Sequence, residues 1–169
     1  MTNHPKVLNL PTNPLQKNIP LELNMVREIA RENVTAELLK ARFEEAGYEA
    51  LVEEDGAIYL PGSLINLRIL LFTDHHSLAL RGWLSLNPDL TEEELQKICH
   101  YANQNSYMIR YSSYKQDGDN VALFGNYIIY YTFGLNMPNL IFCIRKFVEM
   151  IRAFYEEHKN DEIIFPKTN

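Results

Sequence analysis

The sequence predicts an α+β domain in which an antiparallel or mixed sheet carries helices packed mainly on one face, in the order α(α)-ββββ-α-ββ-α. Three observations carry that expectation. The stretch "SLALRGWLSL" (77–86) alternates, with Leu78, Leu80, Leu84 and Leu86 on one side and Ala79, Arg81, Trp83 and Ser85 on the other. Alternation with period two is the mark of a strand with one buried face. "MPNLIFCIRKFVEMIRAFYEEH" (137–158) instead places Leu140, Ile144, Phe147, Val148, Ile151, Phe154 and Tyr155 at spacings of three and four, the pattern of an amphipathic helix. Between most strand patterns only tight turns intervene, so the crossover helices that a parallel sheet requires are missing.

Each element follows from local chemistry. Residues 1–20 hold Pro5, Pro11, Pro14 and Pro20, half of the chain's 8 prolines, and read as a flexible Pro-rich arm. Met25, Val26 and Ile29 fall at helical spacing and predict a short helix over 21–33. Thr35 is an N-cap candidate, Leu38, Leu39, Phe43 and Ala46 share one face, and Gly47 is a C-cap candidate, so a helix is expected over 35–47. "EALVEEDGAIYLPG" reads as a hairpin turning at Asp55-Gly56. "NLRILLF" (66–72) pairs with the alternating strand through Thr73, Asp74, His75 and His76. In "LTEEELQKICHYANQN", Thr91 and Glu94 form a capping box, and Asp89, Glu92 and Glu93 favour the positive start of a helix. Its inner stripe is Leu95, Ile98, Cys99 and Ala102. "SYMIRYSSYKQDGDNVALFGNYIIYYTF" is a long hairpin turning near Asp117-Gly118, and the last helix follows. The organisation is therefore an arm (1–20), one α+β domain (21–160) and a tail (161–169) in which Ile163, Ile164 and Phe165 point to docking.

A chain of 169 residues fits one domain with a proper core. Hydrophobic residues at 46% and charged residues at 22% exclude wholesale disorder. The net charge of −6 and pI near 5.4 give no general attraction for phosphate backbones. Arg145-Lys146 and the Lys40 to Arg42 segment sit among acids on helical patterns, so no nucleic-acid partner is expected. Cys99 and Cys143 lie on apolar helical stripes and read as small core residues of a reducing compartment. The first residues lack a signal-peptide run, and no apolar stretch is long enough to span a bilayer. The expected location is the cytoplasm, without a membrane partner.

Asp74-His75-His76 is the one stretch that points to metal chemistry, since an acid beside two imidazoles can bind a divalent ion, and such a triplet marks a class of phosphoesterases. Metal-assisted hydrolysis needs further ligands that converge on each ion. Here the triplet falls in a tight turn, where neighbouring side chains diverge, and no Asp-x-Asp precedes it. A polar turn is the plainer reading. There is no Gly-x-Ser-x-Gly, no phosphate-cradling glycine loop and no Cys-x-x-Cys. No catalytic residue and no cofactor are expected, and Asp74, His75 and His76 are kept as weak metal candidates.

The aromatic residues say more. In "VALFGNYIIYYTF" both strand faces are apolar, with Val121, Leu123, Tyr127, Ile129 and Tyr131 on one and Phe124, Ile128 and Tyr130 on the other. A sheet covered on one side should be polar on the other. Trp83 also lies opposite its strand's leucines. A helix or another chain must therefore cover the second face, and Tyr and Trp are favoured where a partner docks. The candidate interface residues are Trp83, Phe124, Tyr127, Tyr130 and Tyr131.

The segments "TAELLKARFEEAGYEALVEEDGAIYL", "LALRGWLSL", "LTEEEL", "YANQN" and "MIRYSSYKQDGDNVALFGNYII", followed by the long amphipathic helix, resemble the YbjN family across roughly residues 35–158. Its members are described as bacterial sensory-transduction regulators. The family is similar in fold to type III secretion chaperones, which are small, acidic α+β proteins that dimerise and bind extended protein segments. The resemblance implies a non-enzymatic protein-binding module, chaperone-like or regulatory, acting as a homodimer with a protein client. It transfers no catalytic residues. The alternatives are a small metal-dependent hydrolase centred on Asp74, His75 and His76, or a regulator that holds a small apolar molecule between the sheet and the last helix.

Overall fold

The computed structural model describes residues 28–62, 65–115 and 120–166. Its first helix, α1 (Ala36–Glu45), starts on Thr35, whose hydroxyl accepts from the Leu38 N–H at 3.2 Å. It ends in a Schellman turn. Gly47, at φ 83°, lets its own N–H reach Glu44 and the Tyr48 N–H reach Phe43, and the Phe43 and Tyr48 rings then meet edge-on at 6.0 Å. Strands β2 (Leu51–Val52) and β3 (Ile58–Leu60) turn at Asp55-Gly56, where Gly56 takes φ 80° and the Asp55 carboxylate accepts from the Ala57 N–H.

Strand β4 (Leu67–Phe72) runs into β5 (Ser77–Ser85) through a 3-10 turn at Thr73–His75. Helix α2 (Glu92–Gln104) opens on the complete Thr91/Glu94 capping box. Strands β6 (Arg110–Lys115), β7 (Val121–Tyr130) and β8 (Leu135–Asn136) precede α3 (Met137–His158). There Asn136 caps the Asn139 N–H, and Pro138 occupies the first turn, where its missing donor costs nothing.

Six strands form one sheet in the order β2-β3-β4-β5-β7-β6, antiparallel throughout. Register places Gly82 of β5 opposite Gly125 of β7, and α3 lies over that pair. A Cβ on Gly82 would fall 2.9 Å from Ile151 Cδ1, and one on Gly125 would fall 3.0 Å from the same atom. Leu78, Leu80 and Leu84 of β5, Ile69 of β4 and Leu123 of β7 share this face and are buried with Leu140, Ile144, Phe147 and Ile151 of α3. The fold is α+β with its helices on one side of the sheet, as the alternation of β5 requires.

Two details depart from expectation. Residues 28–33 do not form the tail of a helix: β1 (Glu28–Ile29) pairs with β8, and Arg31–Asn33 is a single 3-10 turn. Ile29 is buried by this long-range pairing, which spacing along the chain cannot reveal. The tail docks through Ile164 and Phe165, which are buried, while Ile163 is exposed. The Asn87 N–H donates to the Ile164 carbonyl at 2.9 Å, and the Phe165 ring meets Tyr155 edge-on at 5.1 Å. The Pro-rich arm, the rest of the expected first helix and the Asp117-Gly118 turn lie outside the described residues. No described helix is long and apolar enough to cross a membrane.

Candidate functional site

Asp74 and His75 are exposed on the 3-10 turn. His76 closes that turn in the left-handed region at φ 45°, donating its N–H to the Thr73 carbonyl and accepting from the Tyr131 N–H at 2.8 Å. Its ring lies 6.1 Å from that of Tyr131. Among the described residues, no three His, Cys, Asp or Glu side chains gather as metal ligands would. His100 is exposed on α2, and His158 sits between Tyr101 and Phe154 at the far end of α3. What the triplet does here is turn the chain. Cys99 and Cys143 are both half-buried free thiols, and burial pushes both up from the ordinary cysteine value.

The side of the sheet away from the helices is a different surface. Period-two alternation turns Trp83 of β5 and Phe124, Ile128 and Tyr130 of β7 onto it. Trp83 and Phe124 are direct cross-strand partners with ring centroids 6.3 Å apart, and Tyr114 of β6 meets Phe124 edge-on at 6.1 Å. Ile128 is 53% exposed and Tyr130 72%, with Phe72 of β4 exposed in the same cross-strand row as Tyr130. Of the five residues that the sequence singles out, Trp83, Phe124 and Tyr130 share this open face. Tyr127 and Tyr131 do not. Tyr127 points to the helix side and is half-buried, while Tyr131 is 2% exposed within the core. Burial pushes both phenols above the ordinary tyrosine value, with the nearby Cys143 adding to the effect at Tyr127.

A row of polar residues crosses the open face between two apolar ones. Register sets Tyr59, Arg68, Arg81, Asn126 and Arg110 side by side on β3, β4, β5, β7 and β6. To one side lies the row Leu70, Ala79 and Ile128, and to the other Trp83, Phe124 and Ser112. Arginines directly opposite one another repel. Glu53 and Asp55 neutralise Arg68, whose guanidinium the Glu53 hydrogen bond in particular holds charged. Asp55 is held below the usual carboxylate range by the Ala57 N–H, with Arg68 assisting. Arg81 has only the neutral Asn126 amide, at 2.8 Å, and no described carboxylate forms an ion pair with Arg81 or Arg110. Sequence reasoning missed this row because its members are scattered over five strands. Each takes an outward position in its strand, and only the register brings them together.

The free edge at β6 is capped at Tyr111. The Asn103 side chain of α2 accepts from the Tyr111 N–H at 2.8 Å and donates to the Tyr111 carbonyl at 2.9 Å, so its amide imitates a further strand. A shallow cleft of about 220 Å³ adjoins Trp83, lined also by Asn66, Leu84, Ser85, Tyr155 and Phe165.

The domain is a two-layer α+β fold whose sheet carries aromatic and apolar residues on the face away from α3. Residues 35–159 match the YbjN family, described as "Putative bacterial sensory transduction regulator", and the chain belongs to that family. Among solved structures it is similar to one described as "Crystal structure of YbjN, a putative transcription regulator from E. coli". The two share 14% identity and a TM-score of 0.65, over 79% of this chain and 97% of that one. At that identity the likeness speaks for the fold alone. No curated protein sequence matches this chain.

Proposed function

We propose that this protein is a non-enzymatic regulatory module that works by equilibrium binding of a partner protein on the open face of its sheet. The observation that carries this reading is the pair of apolar groups on the face away from α3, half-buried Trp83 and Phe124 with exposed Tyr114 on one side of the polar row and exposed Ile128 and Tyr130 on the other. Exposed apolar surface of this kind, in two groups flanking a polar row, marks an interaction site. Burying it contributes about 25 cal/mol per Å² before the costs of association are subtracted. The family's description as a regulator supports the same reading.

The test uses the purified full chain. Its mass is measured by light scattering, its bound metal is assayed on the same sample, and partner capture from its own cells is compared with that of Ile128→Glu and Tyr130→Glu. A metal-free protein that captures one discrete partner, and loses it in both variants, meets the expectation. Stoichiometric zinc or manganese with phosphoester hydrolysis that disappears in His75→Ala would sink it. So would a homodimer that both variants dissociate, because the face would then be occupied by a twin.

A further inference from the structure

The open face has a charge pattern as well as an apolar one, and the two have matching spacings. Along β5 and β7 the rows follow at every second residue: Ala79 and Ile128, then Arg81 and Asn126, then Trp83 and Phe124. Successive rows are therefore about 7 Å apart, the distance between alternate side chains of an extended chain. Arg110 stands two strands from Arg81 in the middle row, about 10 Å away. An anion over Asn126 lies between them.

We infer that the open face takes an extended segment of a partner protein in which an acidic residue stands between two apolar ones at alternate positions. The carboxylate sits between Arg81 and Arg110, one apolar side chain rests on Ala79 and Ile128, and the other rests on Trp83 and Phe124. This deepens the proposal that the open face binds a partner protein, and it rests on that proposal. Charge complementarity selects the occupant. Arg68 is already neutralised by Glu53 and Asp55, whereas Arg81 and Arg110 lack an acid of their own among the described residues. A second copy docked face to face would set one arginine row against another. A nucleic acid would meet Glu53 and Asp55 at the end of the row, on a chain of net charge −6.

Trp83 is the only tryptophan, so its emission reports directly on this face. The probe is a short capped peptide, Leu-Ser-Glu-Ser-Phe, titrated against its Gln counterpart Leu-Ser-Gln-Ser-Phe. The Glu peptide is expected to bind about 10-fold more tightly, the usual worth of a charge-assisted hydrogen bond. Arg81→Gln and Arg110→Gln should each shrink that gap by weakening the Glu peptide more than the Gln peptide, and added salt should erode it. Arg110 is exposed, so its variant keeps the fold if Arg81→Gln does not. Equal affinity for the two peptides overturns the inference, as does tighter binding of a uridine oligonucleotide at Trp83. If neither peptide perturbs Trp83 while Ile128→Glu still loses its partner, the segment chemistry is wrong and the partner-binding face survives. If Ile128→Glu also keeps its partner, both fall.

Discussion

Replacing Gly82 by alanine tests the closeness of α3 to the sheet, on which the arrangement of both faces depends. A Cβ at Gly82 would meet Ile151 Cδ1 at 2.9 Å and both Ile65 Cγ2 and Phe147 Cε1 at 3.1 Å. Carbon atoms rest comfortably at about 3.5–4.0 Å, so the Ile151 methyl must retreat by roughly 0.6 Å or more. Gly82 sits between β4 and β7 in the middle of the sheet, where the backbone has no room to yield. Overpacking of this kind costs about 1–3 kcal/mol, while exchanging Gly for Ala in a strand returns about 0.5–1 kcal/mol, leaving a net loss near 1–2 kcal/mol. Ile151→Val removes the obstructing methyl and costs about 0.5–1.5 kcal/mol alone. The double variant should therefore be more stable than the sum of the singles by about 1 kcal/mol. Urea denaturation of the four proteins gives the cycle. Additivity within about 0.3 kcal/mol, or a Gly82→Ala protein more stable than its parent, would refute the reasoning.

Other consequences can be measured on the same preparation. Asn103→Ala removes the amide that pairs with Tyr111 on the β6 edge and strands the Tyr111 N–H, while the carbonyl keeps the Cys99 thiol at 3.1 Å, which should cost about 1–3 kcal/mol. The loss should come with concentration-dependent association on a sizing column, and a melting temperature equal to the parent's would contradict this. Burial pushes the Tyr111 phenol up to about 12, so the folded state holds that proton more tightly than the unfolded chain does. Its contribution is fully present below about pH 10 and falls as pH rises from there towards about 12. Tyr111→Phe should lose less stability than the parent over that range, and a gap between the two that does not change with pH would count against the assignment.

How much of this was legible in the sequence depended on whether the cause was local. Thr35, Gly47 and the Thr91/Glu94 box act within one turn of the chain, and each stands where its residue type predicts. The β5 alternation fixed which of its faces is buried, and so turned Asp74-His75-His76 into the tip of a hairpin. β1 was not legible because Ile29 pairs with Leu135, more than a hundred residues further on, while its sequence spacing from Met25 and Val26 matches a helical stripe. The aromatic site was half legible. The parity of β7 separated Phe124 and Tyr130 from Tyr127, but choosing between the two sets required knowing which side α3 covers. The arginine row was not legible at all, because it exists only in the register of four strands.

That row and the glycine pair are two consequences of one packing arrangement. Gly82 and Gly125 let Ile151 and Phe147 press against the sheet directly behind Arg81, Trp83, Phe124 and Asn126, which alternate with them on the same two strands. The front of the sheet is therefore carried by its most restrained strands, flanked on both sides and backed by a close-packed helix. Side chains held this way lose little freedom when a ligand arrives, so less of the binding energy is spent on ordering them. Arg81 is further oriented by Asn126, a neutral partner that fixes its guanidinium without discharging it. An acid in place of Asn126 would orient the guanidinium equally well and cancel the charge, so Asn126→Asp should keep the fold and lose the preference for the Glu peptide over its Gln counterpart. Retention of that preference would show that the selectivity resides elsewhere than at Arg81.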